Sequence, residues 1–141
     1  MTIDNLTSEK LQIQEQLHRA AYALDECEVE MLAAAFAESA EFSMRIAGGD
    51  LIGPFVGRTE IMKLMTDSME QQTDQRRHVI SNLFFELLES DTAQVVSNLS
   101  LFATENGEIT VLTAGVYRDR LVKCNGQWCL QRRHLDLDRP Y

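Results

Sequence analysis

The length, composition and charge of the chain already exclude several classes of protein. Its 141 residues, 45% of them hydrophobic and 25% charged, suit one folded domain that spans residues 1–141. The net charge of −9 disfavours nucleic acid and anionic membrane surfaces as partners, because both carry negative charge.

The beginning of the chain, MTIDNLTSEK, is polar and acidic and lacks the basic and apolar segments of a secretory leader. No apolar run approaches the roughly 20 residues that are needed to cross a bilayer. We therefore expect a cytoplasmic protein that does not bind a membrane. The three cysteines, an odd number, argue against a disulfide framework and favour packed, free thiols.

Helical periodicity dominates the first half of the chain. Apolar residues recur at spacings of three and four and predict helices over 7–25, 28–37 and 58–70. Between the second and third helices, AEFSMRI (40–46) predicts a strand. The segment LIGPFVG (51–57) predicts a loop or a short edge strand, because Gly and Pro interrupt it.

Four long strands are predicted in the second half, over 78–88, 93–104, 109–123 and 127–136. The second and third connections, ENGE and CNGQ, contain Asn-Gly, the dipeptide most typical of a tight hairpin. Consecutive antiparallel strands form a meander. The three helices before it must cover one face of the sheet, which predicts an α+β layered architecture.

The first long strand mixes polar and apolar residues on one face. A period of two places His78, Ile80, Asn82 and Phe84 together, whereas the other face is almost entirely apolar. A buried polar group without a partner costs about 1–3 kcal/mol, so a plain core would not contain His and Asn there. A ligand pocket would contain them, since pockets are mostly apolar with a few placed polar groups.

Asp25 lies at the margin of the apolar stripe of the first helix, and Tyr22 lies one turn earlier on the same edge. The Asp25 carboxylate could therefore point into the space between helix and sheet. This would bring it near the polar face of the first long strand.

Other polar and aromatic residues of the second half are interpreted as structural. Arg76 and Arg77 are interpreted as solvated loop charges. Tyr117 and Trp128 are predicted to pack in the core. Strand alternation places Arg133 on the face opposite Trp128.

Several short motifs occur in a characteristic order along the chain. A helix that ends in ALD is followed by GRTEIMKLM, by RRHVISN at the start of a strand, and by GVYRDRL and NGQW near the end. This order resembles the SnoaL-like branch of the nuclear transport factor 2-like superfamily. The resemblance implies a cone-shaped α+β fold, in which a curved antiparallel sheet and three N-terminal helices enclose a cavity. It also implies a homodimer formed through the outer face of the sheet.

The resemblance also implies a site. In dehydratase and dehydrochlorinase members, an Asp late in the first helix orients a His at the start of the strand after the third helix. Asp25 and His78 stand at those positions, and Arg133 matches an Arg that often completes the site. The dehydrochlorinase has a Lys in its first helix where this chain has Ala20, so halide elimination is not expected. The second catalytic His of scytalone-type enzymes has no match here.

The resulting prediction is a cofactor-independent lyase or isomerase (a dehydratase, isomerase or cyclase) that acts on a small apolar cyclic molecule. His78, held by Asp25, would be the general base. Arg133, Asn82 or Tyr22 would bind the oxygen on which negative charge develops. The predicted substrate-binding residues are Tyr22, Asn82, Phe84, Ile80, Met65 and Phe36.

The alternative is a non-catalytic small-molecule-binding or assembly domain of the same fold. No pair of histidines has a metal-ligand spacing such as His-x-x-x-His, so no metal is expected. No glycine-rich phosphate loop is present in the sequence either.

Overall fold

Helices and strands follow one another in the predicted order. The computed structural model describes residues 3–141, with side chains from residue 6 onward. These residues form three helices and six strands, and the predicted α+β class is confirmed. Among the described helices, none combines the length and the apolar character that a membrane crossing requires. The elements are α1 (Ile3–Asp25), α2 (Val29–Ala34), β1 (Phe36–Ile46), β2 (Ile52–Val56), α3 (Arg58–Gln71), β3 (Gln75–Leu88), β4 (Thr92–Glu105), β5 (Glu108–Cys124) and β6 (Gln127–Leu137).

The strands form one curved sheet in the order β2-β1-β6-β5-β4-β3. Strands β3 to β6 form the predicted antiparallel meander. Asn106-Gly107 and Asn125-Gly126 close the β4–β5 and β5–β6 hairpins. All four residues have positive φ, as the type I′ turn requires. Both Asn-Gly hairpin predictions are therefore confirmed.

Strand β1 differs from the prediction in two ways. The predicted second helix extends to residue 37, whereas β1 already begins at Phe36. The Leu130 amide donates to the Ala35 carbonyl at 2.7 Å, and the Arg58 guanidinium donates twice to the Phe36 carbonyl, at 3.0 and 2.7 Å. These contacts override the helical propensity of the alanine-rich segment. The resemblance implied a purely antiparallel sheet. Because β1 runs parallel to β6, the sheet is mixed instead.

The main core lies between the helices and one face of the sheet, which we call the inner face. Trp128 and Leu130 of β6 are buried there, so the prediction that Trp128 packs in the core is confirmed. Fully burying a Leu or Ile side chain contributes about 1.5–3 kcal/mol. Helix α1 supplies one continuous buried stripe, formed by Ile13, Leu17, Ala20 and Ala23.

Candidate active site

Asp25 and His78 form a hydrogen-bonded pair, although 53 positions separate them in the sequence. The Asp25 Oδ1 and His78 Nδ1 atoms lie 2.6 Å apart. The other carboxylate oxygen, Oδ2, accepts the backbone N–H of His78 at 2.8 Å. Both oxygens are therefore bound to the same residue, which fixes the carboxylate and the imidazole relative to each other. The two side chains are largely buried, at 6% and 10% exposure.

The end of α1 places Asp25 against β3. The helix stops at Asp25, and Cys27 takes a left-handed conformation with φ of 56°. The Glu28 amide then donates to the Ala23 carbonyl at 2.9 Å, a bond typical of a Schellman helix end. A carboxylate near a helix C-terminus faces the negative end of the helix dipole, at a cost of about 0.3–1 kcal/mol. The two bonds from His78 offset that cost.

The pair determines which nitrogen of His78 is free to react. An ionised carboxylate only accepts hydrogen bonds, so Nδ1 carries a proton and Nε2 is left as the acceptor in the neutral ring. Within residues 6–141, no group forms a hydrogen bond to Nε2. His78 also lines a cavity, which places its imidazole beside a space that a small molecule could occupy.

The cavity lies between the helices and the inner face of the sheet and has a volume of about 160 Å³. Its wall is mostly apolar and includes Phe36 and Met65, two of the predicted substrate-binding residues. An apolar cavity of about 150 Å³ accommodates benzene, so this cavity has room for about one six-membered ring with small substituents. Three of its polar side chains are His78, Tyr117 and Arg133.

A β-bulge moves two predicted residues out of the site. The pairing of β3 with β4 shifts register between Ser81 and Phe84, and Asn82 has a φ of 51°. One extra residue reverses the alternation of side chains beyond it. Asn82 and Phe84 are consequently exposed on the outer face, where Phe84 is 54% accessible. The prediction that they share the face of His78 is wrong.

Two more predicted substrate-binding residues lie outside the cavity. Ile80 keeps the inner face but packs against a second apolar cluster that contains Leu99 and Leu137. Tyr22 is 55% exposed and lines a separate surface groove along α1 with Leu11. Helix α1 turns Ala20, Ala21 and Leu24 toward the cavity, which directs Tyr22 to solvent.

Arg133 reaches the cavity as part of a buried ion pair. Its Nε and Nη2 atoms donate to the two carboxylate oxygens of Asp119 at 2.9 and 3.0 Å. Burial alone would lower the pKa of Arg133, but the negative charge of Asp119 raises it, so the guanidinium stays charged. Burial in turn raises the pKa of Asp119, and Arg133 counteracts that rise by charge and by hydrogen bonding. The guanidinium also lies 3.7 Å from the centre of the Tyr117 ring.

The face of Arg133 differs from the prediction. In the pairing of β5 with β6, Arg132 and Leu130 face consecutive residues of β5, so Gln131 is an extra residue in β6. This irregularity brings Trp128 and Arg133 to the same inner side of the sheet. Asp119 was not among the predicted site residues. Strand alternation places it between Tyr117 and Leu121, so an acid within an otherwise buried face was the signal that could have identified it.

Tyr117 is buried, as predicted, but it also lines the cavity. Burial raises its pKa to about 12. The phenol therefore remains protonated at neutral pH and is able to donate a hydrogen bond to a bound oxygen.

The raised pKa of Tyr117 predicts a loss of stability in alkali. The protonated phenol contributes stability that is fully present below about pH 10, where an exposed Tyr titrates. That contribution is lost as the pH rises toward about 12, the pKa in the folded state. We expect the urea midpoint to fall less between about pH 9 and pH 11 in Tyr117→Phe than in the wild type. Tyr22→Phe, which alters an exposed ring, should behave like the wild type, and equal falls in all three proteins would contradict the assignment.

Arg76 was interpreted as a solvated loop charge, and this is wrong. Strand β3 begins at Gln75, so Arg76 lies on the inner face and lines the cavity. Arg77 is exposed and pairs with Glu26 at 3.0 Å, as expected for a solvated charge. The two neighbouring side chains lie on opposite faces of the sheet because successive residues of a strand alternate between its faces.

Among the described residues, no three His, Cys, Asp or Glu side chains lie together in a way that could hold a metal ion. All three cysteines are free, as the odd count indicated. Burial raises the pKa of the Cys129 thiol to about 11, with further contributions from hydrogen bonding to Cys124, which makes it a poor nucleophile.

A curved sheet packed on three helices is the fold of the nuclear transport factor 2-like α+β proteins. The model of the SnoaL-like domain matches residues 6–134, and the chain belongs to that family. The predicted resemblance is thus confirmed. No curated protein matches the chain in sequence.

Solved structures of similar fold cover nearly the whole chain. A Mycobacterium tuberculosis protein of unknown function, solved as an Asp-to-Asn variant, has a TM-score of 0.83 and 26% identity, over 99% of this chain and 78% of its own. A candidate scytalone dehydratase from Novosphingobium aromaticivorans has a TM-score of 0.80 and 27% identity, over 96% and 88%. A Catenulispora acidiphila protein in complex with S-DNPA has a TM-score of 0.80 and 26% identity, over 94% and 95%.

Proposed function

We propose that the protein is a lyase or isomerase that needs no cofactor and that uses His78 as a general base on a single-ring substrate. One observation carries the proposal: Asp25 holds Nδ1 of His78 at 2.6 Å, while His78 lines the cavity and none of the described residues bonds to Nε2. A carboxylate-held imidazole is a competent base near neutral pH. The likeness to a candidate scytalone dehydratase supports lyase chemistry on this fold.

The proposed reaction begins at a C–H bond beside a carbonyl group. Nε2 of His78 takes the proton, and the electron pair of that bond moves to the carbonyl oxygen and forms an enolate. Asp25 stabilises the imidazolium that results. The Tyr117 hydroxyl, supported by the positive charge of Arg133, donates to the enolate oxygen.

The second half of the reaction decides the product. If the substrate has a β,γ double bond, the imidazolium returns its proton to the γ-carbon of the dienolate, the double bond moves into conjugation with the carbonyl, and the result is an isomerisation. If the enolate expels a β-hydroxyl group that takes the same proton, water leaves and the result is a dehydration. Attack of the enolate carbon on a second carbonyl would give a cyclisation, but a cavity of about 160 Å³ favours the two smaller reactions.

A non-catalytic binding domain is the second candidate. The cavity is mostly apolar, and the Arg133 guanidinium already has the Asp119 carboxylate as its partner, so a small ring could be held without chemistry. The exposed apolar side chains of the outer sheet face, including Phe84, Ile109 and Val111, support the proposal of a homodimer. The three free thiols are consistent with the proposed cytoplasmic location.

Exchange of ketone protons for deuterium distinguishes the two candidate functions. Cyclohexanone, 3-hydroxycyclohexanone and 3-cyclohexenone are incubated with the protein in D₂O and followed by proton NMR. An enzyme of the proposed kind should speed deuterium uptake beside the carbonyl and should dehydrate or isomerise the last two compounds. If the ketones bind but exchange no faster than in buffer, the protein is a binding domain and the proposed function is wrong.

A further inference from the structure

The cavity opens to the surface through a polar mouth. A surface cleft of about 400 Å³ adjoins the cavity, and both are lined by Met44, Ser68, Gln72, Arg76 and Tyr141. These five residues, which we call the mouth, come from β1, the end of α3, the start of β3 and the segment after β6. Four of the five are polar, whereas the wall deeper in the cavity is mostly apolar. A ligand with one polar and one apolar end would match this distribution.

Arg76 is the cationic side chain of the mouth. It lies two residues before His78 on the inner side of β3, which separates the two backbone positions by about 6.5–7 Å. Its Nε donates to Asp74 Oδ1 at 3.1 Å, and its guanidinium carbon lies 5.0 Å from the centre of the Tyr141 ring. The side chain is 19% exposed, so these contacts hold it in place while part of it remains accessible.

Arg76 and Arg133 differ in the donors that they can offer. Arg133 directs Nε and one terminal nitrogen to Asp119. Arg76 uses only Nε, and in the part of the chain that the structure describes no group bonds its two terminal nitrogens. A guanidinium has five N–H donors, so four remain for a ligand at the mouth. Charge-assisted hydrogen bonds of this kind are stronger than neutral ones.

We propose that Arg76 is a specificity-determining residue that binds an acceptor oxygen of the substrate, a carboxylate or a carbonyl, while His78 acts on the opposite end of the ring. This inference rests on the proposed function for the role of His78. It makes the substrate amphipathic: a single ring, with the reacting carbonyl inside and an oxygen-bearing substituent at the mouth. A ring substituted at opposite positions spans a distance similar to the roughly 6.5–7 Å between the two backbone positions.

Three probes of equal heavy-atom count test the inference: 4-oxocyclohexanecarboxylate, 4-oxocyclohexanecarboxamide and 4-isopropylcyclohexanone. Their dissociation constants are measured by ligand-observed NMR for the wild type, Arg76→Gln and Arg77→Gln. The wild type and Arg77→Gln should bind the carboxylate, the carboxamide or both about tenfold more tightly than the isopropyl compound. Arg76→Gln should lose that preference while it binds the isopropyl compound unchanged. Preference for the carboxylate alone would identify a charged group, and equal preference would identify a carbonyl.

Three results would overturn the inference: tightest binding of the isopropyl compound by the wild type, an unchanged preference in Arg76→Gln, or failure of all three probes to bind. Circular dichroism and the thermal midpoint of Arg76→Gln establish that it is folded. Deuterium uptake by the same ketones separates this inference from the proposed function. If the oxygen-bearing probes bind more tightly but take up no deuterium, Arg76 is a binding residue and the proposed enzymatic function is wrong. If the ketones take up deuterium but no probe is preferred, only the proposed role of Arg76 is wrong.

Discussion

Replacing His78 by Gln is expected to lower the rate of deuterium uptake by a cyclic ketone about 10²- to 10⁴-fold, the range that a general base contributes. Gln retains a polar side chain of similar reach but cannot take up a proton at neutral pH. The measurement is proton NMR in D₂O at saturating ketone. His134→Gln is the matched control, because His134 bonds to Ser43 and Asp136 and does not line the cavity. Its rate should equal that of the wild type.

Asp25→Asn should lower the rate by a comparable factor for a different reason. Asn has the shape of Asp, but its amide is able to donate to Nδ1 and so to place the ring proton on Nε2, which removes the base. Asp25 Oδ2 also accepts the backbone N–H of His78, so the folded fraction of each variant has to be measured by circular dichroism. Wild-type uptake in folded His78→Gln would show that the chemistry occurs elsewhere.

Breaking the buried pair of Arg133 and Asp119 is expected to have the largest effect on stability. Arg133→Met leaves the Asp119 carboxylate buried without its partner, and such a change costs about 3–5 kcal/mol of unfolding free energy. The double variant Arg133→Met with Asp119→Leu should recover much of that loss, because no uncompensated charge remains. Urea unfolding with linear extrapolation gives the free energies.

An exposed ion pair supplies the control for this prediction. Arg118 and Asp136 lie 3.5 Å apart with side chains 57% and 42% exposed. Arg118→Met should therefore change the unfolding free energy by less than about 1 kcal/mol. If Arg133→Met cost no more than Arg118→Met, the buried pair would not be a structural support of the cavity. A double variant less stable than Arg133→Met would contradict the charge argument.

Much of the fold could be predicted because local signals and the global architecture agree. Asn-Gly dipeptides mark the hairpins, and helical and strand periods are clear in separate halves of the chain. The parallel pairing of β1 with β6 could not be predicted in this way. It joins segments far apart in the sequence through contacts such as that from the Leu130 amide to the Ala35 carbonyl.

The structure brings Asp25 and His78 together as predicted, but it moves other predicted residues away from the cavity. Asp25 and His78 are correctly placed because each lies close to the end of its helix or strand. Few residues separate them from that end, so no irregularity shifts the direction of their side chains. Asn82 and Phe84 lie at and beyond a bulge, and one inserted residue turns the side chains that follow it to the opposite face, up to the second register shift between Phe85 and Leu87. Arg76 lies where the cavity opens to the surface, and Tyr117 lines the cavity wall. The alternation of residues along a strand does not reveal the position of a cavity, so neither location could be predicted.

The proposed function requires that Asp25 keeps the proton of His78 on Nδ1 and leaves Nε2 free to act as the base. Nitrogen-15 NMR of histidine-labelled protein measures this tautomer directly, with His78→Gln identifying the signal. We predict a neutral ring protonated at Nδ1 in the wild type, and a loss of that preference in Asp25→Asn. A ring protonated at Nε2, or a mixture of tautomers that Asp25→Asn does not change, would contradict the proposed role of His78 as the base.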